Sequence, residues 1–480
     1  MLVQKNTLYW YDYETFGANP KVDRISQFAG VRTDLDLNII GEPLMIYCQL
    51  ADDFLPQPEA CLITGITPQK VIKEGMPEAE FINVINQQFS EPNTCVVGYN
   101  NIRFDDEFTR YSLYRNLFDP YAREWRNGCS RWDLIDVVRL TRALRPEGLV
   151  WPAHEDGSPS IRLEDLSAAN NLNHESAHDA LSDVYATIAV AKLIKDKQPR
   201  LYDYAFNNRS KSSIFSMLNI KEKKPVLHIS GMYPSDRGNM AIVVPLAMHP
   251  TNKNGIIVFD LSENPESLYL LSSEEIAKRI FTPKAELPTD QMRISLKTVH
   301  ANKCPIVSPV NTLQPDIAQR YGIDMAVCKQ HLNFITAQES IAEKLQQVFS
   351  ATKFEPSLDP DYMLYGGSFF GAADRESMDH VHSLSSNELL GYEMVFEDDR
   401  LAEMLFRYKA RNWPESLSAD EKEMWQAFRL SRLNKPETSI LSFAEYFAKI
   451  ERLKNNQENN VNISLLQELE KYGRAISPKT

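Results

Sequence analysis

Apolar and polar positions alternate in short runs near the start of the chain, which predicts β-strands there. The runs are rich in β-branched and aromatic residues, and short connections separate them: TLYWYDYET, QFAGVRTDL and PLMIYCQL. Helical spacing begins near TPQKVI, where Thr67 is placed to cap a helix and Pro68 to occupy its first position. Later helical stretches are EAEFINVINQQF, FDDEFTRYSLYRNL, RWDLIDVVRLTRAL, RLEDLSAANNL and HDALSDVYATIAVAKLIK, and TCVVGYN is typical of a short buried strand. This order predicts an α/β domain over roughly residues 5–195.

The pattern changes after that point. Compact strand signals separated by Gly, Pro and Asn lie between residues 225 and 260: PVLHIS, MAIVVPLAMHP and GIIVFDLS. They predict a small barrel-like unit that helices extend to about residue 350. The segment FEPSLDPDYMLYGGSFFGAADR has the composition of a loop and marks a junction. The remainder is charged and helical: EKEMWQAFRLSRL, LSFAEYFAKIERLKN and VNISLLQELEKYGRAI.

Length and composition indicate a globular protein of two or three domains. The chain has 480 residues, of which 43% are hydrophobic. The start, MLVQKNTLYW, has no basic region before an apolar stretch, and no run of about 18 apolar residues occurs, so we expect no secretory signal and no membrane span. Six cysteines lie far apart without a CxxC pair, which argues against a zinc site and a disulfide framework and favours a reducing cytoplasm.

The first strand carries two acids, Asp12 and Glu14, one residue apart. Side chains of a strand alternate between its faces, so both carboxylates point to the same side. Two converging carboxylates repel each other, and a divalent cation removes that cost. Oxygen ligands suit Mg²⁺ or Mn²⁺ better than zinc. The alternative is that both acids belong to the exposed face of an edge strand.

Further acids follow in a similar setting. The stretch GYNNIRFDDEFTR places Asp105 and Asp106 where a buried strand gives way to a helix, a position that the helix dipole alone would favour. The stretch HESAHDALSDVYATIAVAKLI places His178 at the start of a helix and Asp183 a turn and a half later. Each element alone is also compatible with a purely structural role. The ordered set D-x-E, N-x-x-F-D and H-x-x-x-x-D is more specific than any of its parts.

That set resembles the DEDDh family of 3′→5′ exonucleases, which have a ribonuclease H-like fold. Within this family the chain is similar to the bacterial exonuclease I proteins, on the stretches DYETFG, YCQLADDFLPQPEACLITGITPQ, GYNNIRFDDE, SRWDLIDV, ALRPEG, AHDALSDVYATIA and QPRLYDY. Later stretches extend the resemblance over nearly the whole chain: HISGMY, NKCPIV, NTLQP and YKARNWP.

The resemblance implies an α/β fold with three domains. These are a DEDDh exonuclease domain with a mixed sheet over residues 7–195, an SH3-like β-barrel/α domain over 199–351 and an α-helical C-terminal domain over 354–475. Together they would form a C-shaped clamp around single-stranded DNA. The implied activity is processive 3′→5′ hydrolysis of single-stranded DNA to 5′-mononucleotides, serving DNA repair, recombination and mismatch repair. We expect a monomer in the cytoplasm.

The resemblance also implies two-metal catalysis. The metal ligands would be Asp12, Glu14, Asp105 and Asp183, holding two Mg²⁺ ions for which Mn²⁺ can substitute. One ion would activate a water for attack on the last phosphodiester, and the other would stabilise the leaving 3′ oxygen. His178 would take the proton of the water as general base, a role that its near-neutral pKa suits.

Substrate contacts are expected at Glu14, Phe16, Ile66 and Arg162. Phe16 is placed to stack on the terminal base, although it could equally be a core residue. Ile66, in TGITP, is a candidate second wedge. Arg162 matches a family position that contacts substrate, and its alternative is a surface ion pair with Glu164 or Asp165.

The formal net charge of −13 argues mildly against a nucleic-acid partner. Basic residues nevertheless outnumber acids in two regions, which are Arg200, Arg209, Lys211, Lys221, Lys223 and Lys224, and later Lys278, Arg279, Lys284, Arg293, Lys297 and Lys303. Aromatic residues interleave with the first region: Tyr202, Tyr204, Phe206, Phe215 and Tyr233. Charge and stacking together favour a track for single-stranded DNA. The alternative is that these cations only solvate the surface.

A second partner follows from the resemblance. Exonuclease I relatives dock the acidic C-terminal tail of the single-stranded DNA-binding protein, and Arg145 and Tyr204 match family positions in that pocket, with Lys224 and Arg320 as companions. An arginine suits the terminal carboxylate and an apolar wall suits an aromatic side chain. Alternatively, Arg145 is a cation that satisfies the end of a helix.

Two other functions fit part of these observations. A DEDDh exoribonuclease that trims RNA 3′ ends would use the same chemistry, but it does not need the 280 or so residues beyond the nuclease domain. A DNA-binding scaffold without activity would not need all five catalytic positions to be filled.

Overall fold

The computed structural model describes residues 5–172, 179–289, 291–350, 357–434, 440–455 and 462–478. The described chain forms two compact units. The first lies within residues 1–131, 174–185 and 356–480, and the second within 132–173 and 186–355. Each unit therefore draws on more than one of the three predicted domains, whose boundaries stay a prediction. None of the described helices is long and apolar enough to cross a membrane.

The described strands, in chain order, are β1 Thr7–Thr15, β2 Ile25–Thr33, β3 Ile39–Tyr47, β4 Thr94–Gly98, β5 Ser130–Asp133, β6 Val226–Ile229, β7 Met240–Met248, β8 Gly255–Asp260, β9 Leu296–His300 and β10 Ile306–Pro309. The described α-helices are α1 Pro58–Thr64, α2 Pro68–Glu74, α3 Glu78–Ser90, α4 Asp105–Arg115, α5 Leu134–Leu144, α6 Leu163–Ala169, α7 Ala180–Lys197, α8 Pro199–Asn207, α9 Lys211–Met217, α10 Glu266–Leu270, α11 Ser273–Phe281, α12 Pro315–Arg320, α13 Met325–Ala337, α14 Ala342–Ser350, α15 Ala372–Ser383, α16 Arg400–Asn412, α17 Ala419–Asn434, α18 Phe443–Lys454 and α19 Ile463–Ile476.

Strand β1 is the central strand of a mixed five-stranded sheet with the order β3-β2-β1-β4-β5. β2 pairs with it in the antiparallel sense, in a register that sets Asp12 opposite Ala29 and Glu14 opposite Gln27. β4 pairs with it in the parallel sense. The edge-strand alternative for the two acids is therefore wrong, because β1 has a hydrogen-bonded neighbour on both sides.

The alternation of β1 sends its tyrosines and its acids to opposite faces. One face contributes to a core of stacked and edge-on aromatic rings, which contains Tyr9, Tyr11, Tyr13, Phe28 and Phe89. Asp12 and Glu14 project from the other face because successive side chains of a strand alternate. The aromatic residues that alternate with the acids thus hold β1 in place through the opposite face of the strand.

Most helices start where their sequences predict. The hydroxyl of Thr67 accepts a hydrogen bond from the backbone N–H of Lys70, and Pro68 is the first residue of α2, as expected. The prediction of a helix throughout RWDLIDVVRLTRAL is wrong at its start, because Ser130–Asp133 forms β5. The side chain of Asp133 then caps α5 by accepting from the N–H of Ile135.

The second unit contains an antiparallel sheet with the order β10-β6-β7-β8-β9. Every residue of β6 and β8 is buried, which explains why their sequences, VLHI and GIIVFD, are mostly apolar and do not alternate. The predicted strands β6, β7 and β8 are confirmed. β9 and β10 were not predicted, since LKTVH and IVSP are short and partly polar.

The C-terminal helices of the first unit share two cores with the N-terminal part of that unit. One core joins α4 to α15 and α16 through side chains that include Tyr111, Tyr114, Met378, Leu401 and Tyr408. The other joins α1 and α2 to α18 and α19, and it includes Phe16, Ile66, Tyr446, Leu466 and Leu469. These helices are thus integrated into the fold of the unit.

A buried ion network also joins the C-terminal helices to the N-terminal part of the first unit. Arg411 on α16 contacts Asp53 at 2.9 Å and Asp361 at 2.6 Å, and both carboxylates are almost completely buried. Burial alone would raise the pKa of Asp53, but the charges of Arg411 and Arg432 outweigh it and lower the pKa to about 2. The carboxylates therefore stay charged and depend on their cations.

Replacing Arg411 by methionine should destabilise the protein by about 3 kcal/mol, the lower end of the range for a broken buried ion pair, because Asp361 keeps Arg407 at 2.9 Å and Asp53 keeps only Arg432 at 3.8 Å. Chemical denaturation measures the loss. The matched control is Arg474→Met, whose exposed pair with Glu470 on α19 should contribute less than about 1 kcal/mol. A lowered carboxyl pKa stabilises the fold above the unfolded value and loses that effect as pH falls. The difference between Arg411→Met and wild type should therefore narrow below about pH 4, and equal losses in the two variants would contradict the network's role.

Candidate functional site

The topology of the mixed sheet brings acids from separate segments to one edge. β1 and β4 run parallel, so their carboxyl ends lie at the same edge of the sheet. Asp12 and Glu14 occupy the end of β1. β4 ends at Gly98, a short turn at Asn101–Arg103 follows, and α4 begins at Asp105. Chain direction alone thus places the start of α4 beside the end of β1.

Helix α7 supplies the next acid. Carboxylate oxygens of Asp12, Glu14 and Asp183 all lie within 4.8 Å of one another, with Glu14 buried and the other two half-buried. Asp105 is close enough to raise the pKa of Asp12 by its charge. The structure therefore brings three of the four acids that the sequence singled out into one cluster, and the charge of Asp105 acts on it. The partial exposure of Asp12 and Asp183 leaves the cluster open to a ligand.

The electrostatics of the cluster are unfavourable for carboxylates alone. Burial, together with repulsion by Asp12, Asp183 and Asp179, raises the pKa of Glu14 to about 9. Burial likewise raises the pKa of Asp12, and the charges of Asp105 and Asp183 raise it further. Within the described residues, no lysine or arginine forms an ion pair with Asp12 or Glu14. An all-oxygen set of this kind fits a hard divalent cation.

Asp105 and its neighbour Asp106 have opposite surroundings. Asp106 is buried and accepts from Arg123 at 2.7 Å, from Arg131 at 2.5 Å and from the hydroxyl of Tyr11 at 3.0 Å. Burial would raise the pKa of Asp106, but the two arginines hold it well below its usual range. Asp106 is thus a structural anchor that fixes the start of α4 against β1.

The sequence reasoning missed Asp179, which lies beside the cluster, and did not foresee the burial of Asn101. Asp179, one helical turn before Asp183, adds to the negative charge around Glu14 and lies 3.5 Å from the amide of Gln27. Its spacing of four from Asp183 was a usable signal. Asn101 is fully buried, and neither polar atom of its side chain has a hydrogen-bond partner in the described part of the chain. Asn101 begins the N-x-x-F-D motif, but the spacing of the motif did not reveal its burial.

The expected substrate contacts have mixed placements. Phe16 and Ile66 are buried in the core shared with α18 and α19, at 1% and 3% exposure, so neither offers a face to a base in this structure. For Phe16 the alternative of a core residue applies.

Arg162 is exposed immediately before α6 and belongs to the second unit. No ion pair joins Arg162 to Glu164 or Asp165 among the described residues, so that alternative is wrong. His178 lies outside the described residues, and its role stays a prediction.

All four residues of the expected tail pocket lie in the second unit. Tyr204 on α8 donates its hydroxyl to the carbonyl of Val307 in β10 at 3.0 Å. Arg145 follows α5 and donates to the carbonyl of Leu144, which is the helix-end contact weighed as its alternative. Lys224 and Arg320 are exposed.

The first basic region was expected to offer cations and exposed aromatic rings to a DNA strand, and the structure shows only some of these side chains in that state. Arg209 lies over the ring of Phe206 at 3.8 Å, and Lys211 lies over Phe215 at 5.7 Å, so these rings are paired with cations. Tyr202 and Tyr233 are buried, which corrects their assignment as stacking surfaces: both are core residues.

Comparison with known proteins shows matches along almost the whole chain. Family models match at residues 9–191 (exonuclease), 209–351 (exonuclease I SH3-like domain) and 358–476 (exonuclease I C-terminal domain). The exodeoxyribonuclease I of Haemophilus influenzae is 46% identical over 98% of this chain and 99% of its own.

Solved structures of exonuclease I proteins are similar to this chain over nearly its whole length. A moderately thermophilic exonuclease I from Methylocaldum szegediense has a TM-score of 0.94 at 50% identity, covering 98% of this chain and 99% of its own. A zinc-bound complex of Escherichia coli exonuclease I with single-stranded DNA has a TM-score of 0.93 at 43% identity, covering 98% of this chain and 100% of its own. The fold is therefore an α/β exonuclease domain with a mixed sheet, an SH3-like domain and a helical C-terminal domain.

Replacing Glu14 by glutamine should stabilise the metal-free protein at pH 7.5 while weakening Mn²⁺ binding. A carboxyl whose pKa is raised by folding destabilises the fold progressively as pH rises above its unfolded value of about 4.5. Thermal melting in EDTA should thus show a higher Tm for Glu14→Gln than for wild type, and added Mn²⁺ should reverse the order. Glu42→Gln, at an exposed position on β3, is the control and should change neither quantity. A lower Tm for Glu14→Gln in EDTA would mean that the repulsion is not significant.

Proposed function

The chain belongs to the exodeoxyribonuclease I family, and we propose that it hydrolyses single-stranded DNA processively from the 3′ end to 5′-mononucleotides. The observation that carries the proposal is the carboxylate cluster of Asp12, Glu14 and Asp183, which lies on the face of β1 opposite its aromatic core. Such a cluster needs a cation, and phosphodiester hydrolysis is chemistry that a cation-filled carboxylate site performs. Single-stranded DNA as the substrate is supported by the complex of the Escherichia coli relative.

Two Mg²⁺ ions would be held by Asp12, Glu14, Asp105 and Asp183, with Mn²⁺ as a substitute. When bound, they supply activation of a water and neutralisation of the charge on the leaving 3′ oxygen. The fit rests on the donor set, which is oxygen only, and on the raised pKa of Glu14 and Asp12, which mutual repulsion enhances.

Residues of the chain itself would position the metal ligands, accept a proton and contact the DNA. Asp12 and Glu14 are held in fixed register by their pairing with β2, opposite Ala29 and Gln27, so their carboxylates are preorganised before substrate arrives. His178 would accept the proton of the attacking water, a step suited to an imidazole near neutral pH. Arg162, exposed at the start of α6, would contact a phosphate of the strand.

We also place the enzyme in DNA repair, recombination and mismatch repair, acting as a cytoplasmic monomer. The support for these assignments is the family resemblance and, for the compartment, the widely spaced cysteines. None of the six cysteines forms a disulfide in the described chain, which is consistent with a reducing compartment.

The enzyme should shorten a 5′-labelled single-stranded DNA in Mg²⁺ and release 5′-mononucleotides. A blunt duplex, a 3′-blocked strand and an RNA of the same sequence should resist. Asp12→Asn should be inactive yet still bind the strand, because its carboxylate holds metal and does not hold DNA. Preferential attack on RNA would support an exoribonuclease, and binding without hydrolysis by wild type would support a scaffold.

His178→Ala should lose rate by roughly 10²–10⁴-fold if the imidazole is the general base. The affinity for Mn²⁺, measured by titration without DNA, should change little. A loss that extra Mg²⁺ restores in full would instead make His178 a residue that positions the metal.

For the partner protein, we propose that Arg145 and Tyr204 bind the acidic C-terminal tail of the single-stranded DNA-binding protein, and that Lys224 and Arg320 contribute to the same binding site. Both the family resemblance and the structure around Tyr204 support this proposal. Tyr204 is held in place by its bond to β10, and β10 pairs with β6, which starts two residues after the exposed Lys224. A fixed aromatic wall and several cations suit an anionic tail that ends in an aromatic residue.

Arg145→Ala should weaken binding of the tail peptide by roughly 10–100-fold, which is the loss expected for one charge-assisted hydrogen bond. Fluorescence anisotropy measures the affinity. Lys253→Ala, an exposed cation between β7 and β8, should bind the peptide like wild type. Activity of Arg145→Ala on naked DNA should stay near wild type. Unchanged peptide affinity in Arg145→Ala would leave that residue with its helix-end role alone.

A further inference from the structure

The acid-bearing strand continues directly into a buried residue. β1 ends at Thr15, with an irregular register between Glu14 and Thr15, and Phe16 follows with 1% exposure. Phe16 is therefore two residues from Glu14, at the point where the regular pairing of the strand with β2 stops. What holds Phe16 also restricts where Glu14 can lie.

The backbone of Phe16 is hydrogen-bonded on both sides. Its N–H donates to the carbonyl of Arg24 at 2.8 Å, and its carbonyl accepts from the N–H of Gln57 at 2.8 Å. The side chain of Gln57 in turn accepts from the amine of Lys449 on α18 at 2.7 Å. A polar connection thus runs from a C-terminal helix to the residue after the strand.

The side chain of Phe16 lies in the core that α18 and α19 share with the N-terminal part of the unit. Hydrogen bonds close this core at several points. The hydroxyl of Tyr472 on α19 donates to the carbonyl of Phe54 at 3.1 Å, and the hydroxyl of Tyr446 on α18 donates to the carbonyl of Leu469 at 2.9 Å. The core is therefore a hydrogen-bonded, apolar contact, in which small changes of volume are felt by neighbouring groups.

We infer that Phe16 is a positioning residue, through which the C-terminal helices α18 and α19 hold Glu14 in its place in the metal cluster. These helices therefore belong to the support of the chemical site, in addition to any part they have in holding DNA. This inference rests on the assignment of Glu14 as a metal ligand. It replaces the expectation that Phe16 stacks on a base, since a side chain with 1% exposure has no such face.

The test compares the same substitution at two positions of one core. Phe16→Leu and Phe443→Leu both remove a buried ring from the core that α18 and α19 help to form. Phe443 is the first residue of α18, and only Phe16 adjoins the acid-bearing strand. Mn²⁺ affinity is measured by electron paramagnetic resonance without DNA, and kcat and KM are measured on a short single-stranded oligonucleotide. Thermal melting shows that each variant is folded. Should Phe16→Leu fail to fold, Phe16→Met keeps more of the volume and takes its place.

Phe16→Leu should bind Mn²⁺ about tenfold more weakly, the loss typical of residues that orient a metal ligand, and should lower kcat with KM nearly unchanged. Phe443→Leu should keep its Mn²⁺ affinity within about twofold of wild type, since it does not orient a ligand. A raised KM with wild-type Mn²⁺ affinity would make Phe16 a substrate contact and overturn the inference. Equal Mn²⁺ losses in both variants would overturn it as well, because they would report loosening of the whole core. If wild type binds no Mn²⁺, the metal assignment fails first and the inference fails with it.

Discussion

Mutual repulsion among carboxylates at the end of the central strand is the constraint on which the rest of the first unit depends. Asp12, Glu14 and Asp183 lie within 4.8 Å of one another, and burial raises the pKa of the first two. A flexible loop would let such groups separate. Here the acids sit on a strand that is paired on both sides and backed by aromatic rings, so the repulsion is kept until a cation relieves it.

The start of α4 shows how the fold gives two consecutive acids different surroundings. Asp105 acts on the cluster, whereas Asp106, one residue later, is neutralised by Arg123 and Arg131 and bonded by Tyr11. The bonds of Asp106 to Tyr11 on β1 and to the two arginines fix the start of α4, where the charge of Asp105 acts on Asp12. A substitution at Asp106 would therefore act on the site through geometry, although Asp106 belongs to no expected ligand set.

The local features of the site could be predicted from sequence because they depend on local periodicity. The alternation in β1 placed Asp12 and Glu14 together, and Thr67 with Pro68 marked the start of α2. Features that depend on distant segments could not be predicted. The burial of Phe16 requires α18 and α19, more than 400 residues later in the chain, and the burial of Tyr202 requires Trp132 against its ring. The short strands β9 and β10 were missed because pairing in the sheet, and not their composition, makes them strands.

Long-range pairing also changes the meaning of the net charge. The formal value of −13 suggests a surface that repels DNA. Several of the acids are buried against arginines, including Asp53 and Asp361 with Arg411, Asp106 with Arg131, and Glu78 with Arg115. Such pairs take both signs of charge out of the surface, so they leave the net value unchanged but alter where charge is exposed. Divalent cations held by the acids of the cluster, as proposed, would bring positive charge to the place where a phosphate approaches. The potential that a DNA strand meets is thus set by where the charges lie, and a count over the sequence does not describe it.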